Sequence, residues 1–349
     1  VPFAGRHLCV EAKWKLLTRL AVNAFGVHTA LIVTTILLAL QAAIHAAEQP
    51  SAARKPNIVL ILADDFGYGS AGCYGADRDL VRTPNIDRLA REGRRFTDAS
   101  TPSSVCSPTR YGVLTGRYCW RTSLKHKVLH ANDPMLIKTS RTTVASLLQR
   151  HGYATAAVGK WHLGYGSTKP VDFTITLRPG PQDVGFDYHF GVPSNHGDFT
   201  GVFVDGEMVA GLRSTKRKPF GESYYGCPFL GLDAPQRDDP AVMETITDKA
   251  VAWIEEQGRD KPFFLSFTPV AVHEPVTPSR HTKGSSKVGP YGDWIHELDR
   301  SVGRILDTLD KQQVAGGAPA STAFSKAGFA CRTLSAGPIA CRRARSATR

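Results

Sequence analysis

The sequence has no long hydrophobic run, no acidic residue after Asp310 and no regular cysteine spacing, and these absences narrow the possibilities. Its most apolar stretch, ALIVTTILLAL at Ala30 to Leu40, is short against the roughly 20 residues that cross a bilayer. The seven cysteines are scattered and odd in number, so they form neither a disulfide framework nor a metal-binding spacing. Cys9 lies in the N-terminal segment, and Cys73 with Cys119 or Cys227 is a pairing that the sequence permits but does not require. We find no internal repeat. Disorder throughout is excluded as well, since 42% of the residues are hydrophobic and 349 residues suffice for one large or two ordinary domains.

Charge is present but unevenly placed. The formal +12 includes +3 from residues 1–54 and +7 from residues 311–349, which leaves +2 for the body of the chain. A nucleic-acid or polyanion surface is therefore not indicated by the body's net charge. Lys13, Lys15 and Arg19 precede an uncharged run from Leu20 to Ala47 that ends in alanines, the pattern of an export signal. His45 fits the small-residue cleavage rule poorly, so an uncleaved membrane anchor is the alternative. The expected organisation is a signal peptide or anchor over 1–47, a linker over 48–55, a folded domain over 56–311 and a basic tail over 312–349. The expected destination is periplasmic or extracellular.

Hydrophobic periodicity in the body alternates between strand and helix. Asn57 to Ala63, NIVLILA, is a continuous apolar run, as expected of a strand covered on both faces. Thr83-Pro84 opens a helix that Gly93 ends, Thr143 to Arg150 forms another, and Ala154 to Val158 is a second buried strand. Ile246, Ala250, Trp253 and Ile254 recur at helical spacing, Pro262 to Thr268 is a third strand, and Ile295 to Leu309 carries one apolar helical face. This order predicts an α/β sandwich.

Polar groups just past strand ends line the ligand crevice in such folds. Asp64-Asp65 follow the first strand, Lys160 and His162 the second, and His273 the third. Adjacent carboxylates repel unless a cation lies between them, and hard oxygen donors suit calcium or magnesium; a solvated turn is the alternative. Lys160 and His162, two apart, are candidates for an anion clamp and an acid/base, against a surface lysine and a structural histidine. In VCSPTR, Ser107 as N-cap and Pro108 as first helical residue predict a helix starting just after Cys106. Such an end favours thiolate and anions, and Arg110 can return to the same face, although a buried structural cysteine is the commoner outcome.

Together these segments resemble the formylglycine-dependent sulfatase family, of the arylsulfatase and N-acetylgalactosamine-6-sulfatase kind. The matching residues are PNIVLILADDFGYG from Pro56, TPNIDRLAREGRRFTDA from Thr83, CSPTR from Cys106 with LTGR after it, and GYATAAVGKWHLG from Gly152. GFDYHFG from Gly185, FFLSFTPVAVHEP from Phe263 and GPYGDWIHELDRSVGRILDTL from Gly289 complete them. The resemblance implies an alkaline-phosphatase-like α/β/α sandwich with a mixed central sheet. It implies hydrolysis of sulfate monoesters by a formylglycine made from Cys106, whose hydrated aldehyde is the nucleophile, so that a formylglycine-generating enzyme is a partner. Asp64, Asp65 and the modified Cys106 would hold Ca2+ or Mg2+, and Arg110 would hold the formylglycine. Lys160 would bind the sulfate, His162 would take a proton during aldehyde regeneration, and His273 would assist the leaving alcohol. Asn195 lies near the family's substrate-side polar residue. The implied substrate is a sulfated small molecule or glycan, with no nucleic-acid partner and membrane contact only through the N-terminal segment. A phosphodiesterase or phosphonate hydrolase on the same core, or a non-catalytic polyanion-binding remnant, is the alternative.

After Lys311 the sequence departs from the family pattern. Residues 312–349 contain no Asp, Glu or Asn, where the family continues into a strand ending in Asp-Asn-Gly and, further on, a second lysine. A frameshift or premature end is the expectation, with a genuine basic tail as the alternative. The catalytic domain is then C-terminally incomplete, the ion's oxygen shell is partial, and calcium-dependent activity of the chain as written is expected to be lost.

Overall fold

The computed structural model describes residues 55–258 and 261–312, the backbone of two short strands further on, and the isolated Thr35. The expected signal or anchor segment and linker, and most of residues 313–349, lie outside the described residues. No helix among the described residues is long and apolar enough to cross a membrane.

Eleven strands and five α-helices follow one another along the described chain. The strands are β1 (Asn57–Ile61), β2 (Gly93–Arg94), β3 (Ala154–Lys160), β4 (Tyr188–Val192), β5 (Val204–Asp205) and β6 (Met208–Val209). They continue as β7 (Phe220–Glu222), β8 (Pro228–Phe229), β9 (Phe263–Thr268), β10 (Ala320–Ser321) and β11 (Ala330–Leu334). The helices are α1 (Pro84–Glu92), α2 (Cys106–Thr115), α3 (Val144–Arg150), α4 (Val242–Glu256) and α5 (Pro290–Lys311). Seven strands form one mixed sheet in the order β11-β1-β9-β3-β4-β5-β6. β1, β9, β3 and β4 run parallel, whereas β5, β6 and β11 are antiparallel to their neighbours.

The apolar runs explain this sandwich. Side chains alternate across a strand, so Val59 and Ile61 enter one core with Leu265 and Phe267, while Leu60 and Phe264 enter the other. The first core is closed by Ile246, Ala250 and Ile254 of α4, by Leu298, Val302 and Ile305 of α5, and by Ile86 and Leu89 of α1. Tyr111 and Leu114 of α2, Ala145 beside them, Trp161 and Phe186 close the second. Strands that must be apolar on both faces read as uninterrupted hydrophobic sequence, as β1 and β9 do.

Helix ends are fixed by particular side chains. Thr143 caps α3 by accepting from Ser146 N at 3.0 Å, and Ser146 Oγ accepts in return from Thr143 N. Thr83 makes no such bond for α1. Asp299 of α5 takes its place, accepting from the backbone N–H of Asn85 at 3.0 Å and of Ile86 at 2.8 Å. Burial pushes the Asp299 carboxyl up to about 6 against these bonds.

Three strand ends meet where the site lies. Gly159 adopts φ +115, and a Cβ there would stand 2.1 Å from the Thr268 carbonyl, so only glycine allows β3 and β9 to approach this closely before Lys160.

Candidate active site

The floor of the site is built from the ends of β1 and β3 and the beginning of α2. Just past β1, Asp64 N donates to Ala271 O at 3.0 Å and Val272 N donates to Asp64 O at 2.7 Å. These two bonds extend the β1–β9 pairing beyond the strands and carry His273 to the two aspartates.

Cys106 is the first residue of α2, two positions earlier than the sequence reading places the helix start. Val105 is its N-cap, with no side-chain cap bond. Ser107 does not cap: it is fully buried and its Oγ accepts from Leu129 N at 3.1 Å. The thiol thus stands directly on the helix N-terminus, and Gly116, at φ +66, ends the helix.

Lys160 Nζ lies 3.2 Å from Cys106 Sγ and bonds directly to Asp64 Oδ2. Arg110 Nη2 stands 3.3 Å from Asp64 Oδ1, and its Nη1 donates to Lys160 O at 2.7 Å. Cys106 Sγ is 3.8 Å from Asp64 Oδ1. Burial by itself would raise the Asp64 pKa, but Lys160, Arg110 and His273 outweigh it and hold the carboxyl well below the usual range. Burial also works against ionising Cys106. The hydrogen bond from His273, with Lys160 and Arg110, outweighs that and lowers the thiol pKa.

The two adjacent aspartates part company. Asp64 is buried under cations, while Asp65, at φ +56, turns outward with Oδ2 3.6 Å from His273 Nε2. Burial alone would lower His273, yet Cys106 and Asp64 raise it. His273 is braced from behind: Trp294, completely buried, donates from Nε1 to His273 O at 3.0 Å and packs 5.7 Å from the His196 ring.

His162 is placed differently from the other candidates. It is buried at φ +54, its Nε2 lies 2.8 Å from Leu129 O, and its Nδ1 has no partner. Burial and then Lys160 push its pKa far down, which keeps the ring neutral. Asn195 reaches the mouth and donates from Nδ2 to Tyr225 Oη at 2.9 Å. Tyr225 in turn donates to Glu274 O at 3.0 Å, and Tyr224 donates to the Glu274 carboxylate at 3.1 Å.

The sequence reading passes over both tyrosines. The signal was the segment PFGESYYGCPF: two short apolar pieces around a glycine, here the β7–β8 hairpin with Gly226 at φ +73. Cys73, Cys106, Cys119 and Cys227 are all free thiols.

Donor atoms of Asp64, Cys106 and His273 lie within 4.8 Å of one another, a grouping that can hold a metal ion. The sequence reading instead groups Asp64, Asp65 and Cys106. The residues fit a hard divalent cation in kind. Asp64 is held as a carboxylate with cationic side chains drawn onto both its oxygens, and Asp65 faces the same mouth.

A mixed α/β/α sandwich with an ionised carboxylate, two buried cations and a thiol at a helix N-terminus defines a protein built to receive an anionic group. Comparison with known proteins narrows this. The family model described as Sulfatase matches residues 56–316, and the chain belongs to the sulfatase family. It is 36% identical over 293 residues to an N-acetylgalactosamine-6-O-sulfatase of Bacteroides thetaiotaomicron, covering 75% of this chain and 57% of that protein. It is 33% identical over 287 residues to human arylsulfatase A, covering 79% and 51%. Among solved structures, a Bacteroides thetaiotaomicron sulfatase from a locus for metabolism of multiple glycosaminoglycans superimposes with a TM-score of 0.71 at 34% identity, covering 79% of this chain and 64% of that one. A Pseudoalteromonas sulfatase, with a TM-score of 0.59 at 22% identity over 81% of this chain and 62% of that one, shares the fold. The chain spans about half the length of the curated relatives it matches.

Proposed function

We propose that the site at Cys106 hydrolyses sulfate monoesters, with formylglycine made from that cysteine and with calcium as the bound ion. The observation that carries this reading is the meeting of Lys160 and Arg110 with Asp64 around a cysteine on a helix N-terminus. A sulfate ester is an anion that repels nucleophiles, so fixed positive charge must surround it before attack. When bound, the ion would be held by Asp64 and Asp65 with the group at position 106, and would polarise the sulfate oxygens.

The chain's own residues supply the rest. Lys160 donates toward the group at position 106 and toward sulfate oxygen, and Arg110 fixes Asp64 and the Lys160 backbone so that neither charge can swing away. His273, raised in pKa and half-buried at the mouth, is placed to protonate the leaving alcohol. His162 offers an unpaired Nδ1 as proton acceptor within the floor, although burial and Lys160 oppose charging of the ring in the resting site. The similarity to the N-acetylgalactosamine-6-O-sulfatase favours a sulfated amino sugar within a glycan as the substrate class. The apolar run from Leu20 to Ala47 supports export, and the CSPTR residues support a formylglycine-generating enzyme as partner.

The test has two parts. Mass spectrometry of the tryptic peptide Phe96–Arg110 from a host with a formylglycine-generating system should show conversion of Cys106; only unmodified cysteine would sink that part. Sulfate release is then measured for this chain and for the same chain carrying the C-terminal part of the N-acetylgalactosamine-6-O-sulfatase in place of residues 312–349. Cys106-dependent release from the extended chain is expected, with release from the 349-residue chain lower by at least about 10²–10³, since among the described residues Asp64, Asp65 and the group at position 106 leave the ion short of oxygen donors. Turnover of an aryl phosphodiester but no aryl sulfate, by a converted chain, would overturn the reading.

A further inference from the structure

The β7–β8 hairpin links the site to a second, cationic feature. Its tip carries Tyr224 and Tyr225, which hydrogen-bond Glu274 beside His273. Its base is the segment 213–218, RSTKRK, within a stretch from Met208 to Gly221 that holds four cations and no acid. Arg213, Lys216, Arg217 and Lys218 line a groove of about 730 Å³ together with Phe220 and Gln236.

Two of the four cations are already committed. Arg213 pairs with Asp233 at 2.8 Å, and Arg217 pairs with Asp172. Among the described residues, neither Lys216 nor Lys218 has a carboxylate within 4.0 Å, both are exposed, and Asp233, which lines the same groove and pairs with Arg213, is near enough to Lys216 to be stabilised by it. The groove is firmly framed: Lys218 N donates to Gly231 O at 2.8 Å, and the Phe220 and Phe229 rings stack at 5.1 Å. Five residues lie between Lys218 at the base and Tyr224 at the tip, among them the three of β7, whose pairing shifts register between Phe220 and Glu222.

We propose that this groove is a second anion subsite, in which Lys216 and Lys218 take a sulfate or carboxylate of a sulfated oligosaccharide whose reacting ester lies at Cys106. The proposal rests on the sulfatase reading for its choice of ligand. The groove and the site at Cys106 are lined by different residues, so one sugar unit would occupy one of them and a longer chain both, and the groove selects for chain length. Exposed charge contacts are individually weak, so the two lysines together are worth about tenfold in affinity.

Binding is measured directly, by calorimetry on the full chain, and so does not depend on turnover. The probes are a chondroitin 6-sulfate hexasaccharide, its desulfated counterpart and N-acetylgalactosamine 6-sulfate. Lys216→Ser/Lys218→Ser should weaken the sulfated hexasaccharide about tenfold and leave the monosaccharide within about twofold. Lys283→Ser/Lys287→Ser, which removes the same charge from an exposed segment elsewhere, should change neither. Equal binding of the hexasaccharide by wild type and the groove variant, equal loss in the control variant, tight binding of the desulfated chain, or no binding at all would each overturn the proposal. If the groove effect is found while the converted enzyme hydrolyses no sulfate ester, the subsite stands and the catalytic reading falls.

Discussion

The floor and the rim of the site are built on opposite principles. Asp64, Arg110, Lys160 and His162 are each at most 4% exposed and bond almost wholly to one another and to backbone. At the rim, Asp65 has 57% of its side chain in water, Tyr224 is 55% exposed, and Glu274 is exposed. Buried charges tolerate no missing partner, because each one left alone bears its full desolvation penalty. Exposed groups are solvated whether paired or not. On the proposed function, the floor would therefore set what chemistry is done, and the rim would be free to set which ester is presented.

The sharpest way to break this contrast is Asp64→Ala. It strands Lys160 and Arg110 as buried unpaired cations, so a loss of about 3–5 kcal/mol in denaturant unfolding is expected along with all turnover. Stability unchanged within 1 kcal/mol would show that the floor is wet and not the dry network described. His273→Ala, nearer the rim, should leave stability almost untouched. In the extended, converted chain it should lower kcat on a sugar sulfate by on the order of 10²–10³, and less on 4-nitrophenyl sulfate, whose leaving group needs no proton. Equal losses on both substrates would take the proton-donor role away from His273.

Acid probes the layer behind the floor. His189 packs against Trp161, its Nδ1 donates to Ala157 O at 3.0 Å, and its Nε2 accepts from Tyr165 at 2.7 Å. Burial lowers its pKa from 6.5 to about 4. The unfolded chain therefore binds the proton first, and stability is full above pH 6.5 and falls as pH drops toward 4, by at most about 3 kcal/mol. Asp299, raised to about 6, acts in the opposite direction: it is stabilised by protonation over part of the same window. Unfolding midpoints between pH 7 and 4, compared with His189→Gln, isolate the histidine; parallel profiles would refute the assignment. The smallest effect is expected from Tyr225→Phe, which removes one hydroxyl joining Asn195 to Glu274. A rise in KM of up to about fivefold with kcat preserved fits a net hydrogen bond of about 1 kcal/mol, whereas a fall in kcat alone would place Tyr225 in the floor's chemistry.

Much of the floor was legible in the sequence because continuous apolar runs fix where β1, β3 and β9 end, and Asp64, Lys160 and His273 lie at or within five residues of those ends. The resemblance added the order of segments and the meaning of CSPTR. What the sequence could not say is which of two neighbouring aspartates goes inside. Backbone conformation decides that, through Asp65 at φ +56. Nor did it show that Ser107 is taken by Leu129, a tertiary partner, and so leaves Cys106 at the helix start. The rim was harder still. β5 and β6, of two residues each, are too short for any periodicity, and only Asp205-Gly206, with Gly206 at φ +62, marks their turn.

The strand order also has a consequence for synthesis. β1 and β3 are not neighbours; β9 lies between them. The middle of the sheet is thus made about 200 residues after β1, which at about 5–20 residues per second is roughly 10–40 s of elongation. Throughout that interval β1 has no parallel partner. Lys160 is made before β9 yet has no frame to hold it against Asp64, and Cys106 is not walled in. Any enzyme that must reach this thiol has a window set by ribosome speed, which closes when Phe263–Thr268 slots into place. Stalling translation before and after this segment, and then probing Cys106 with a thiol reagent, should show reactivity falling only in the longer chain.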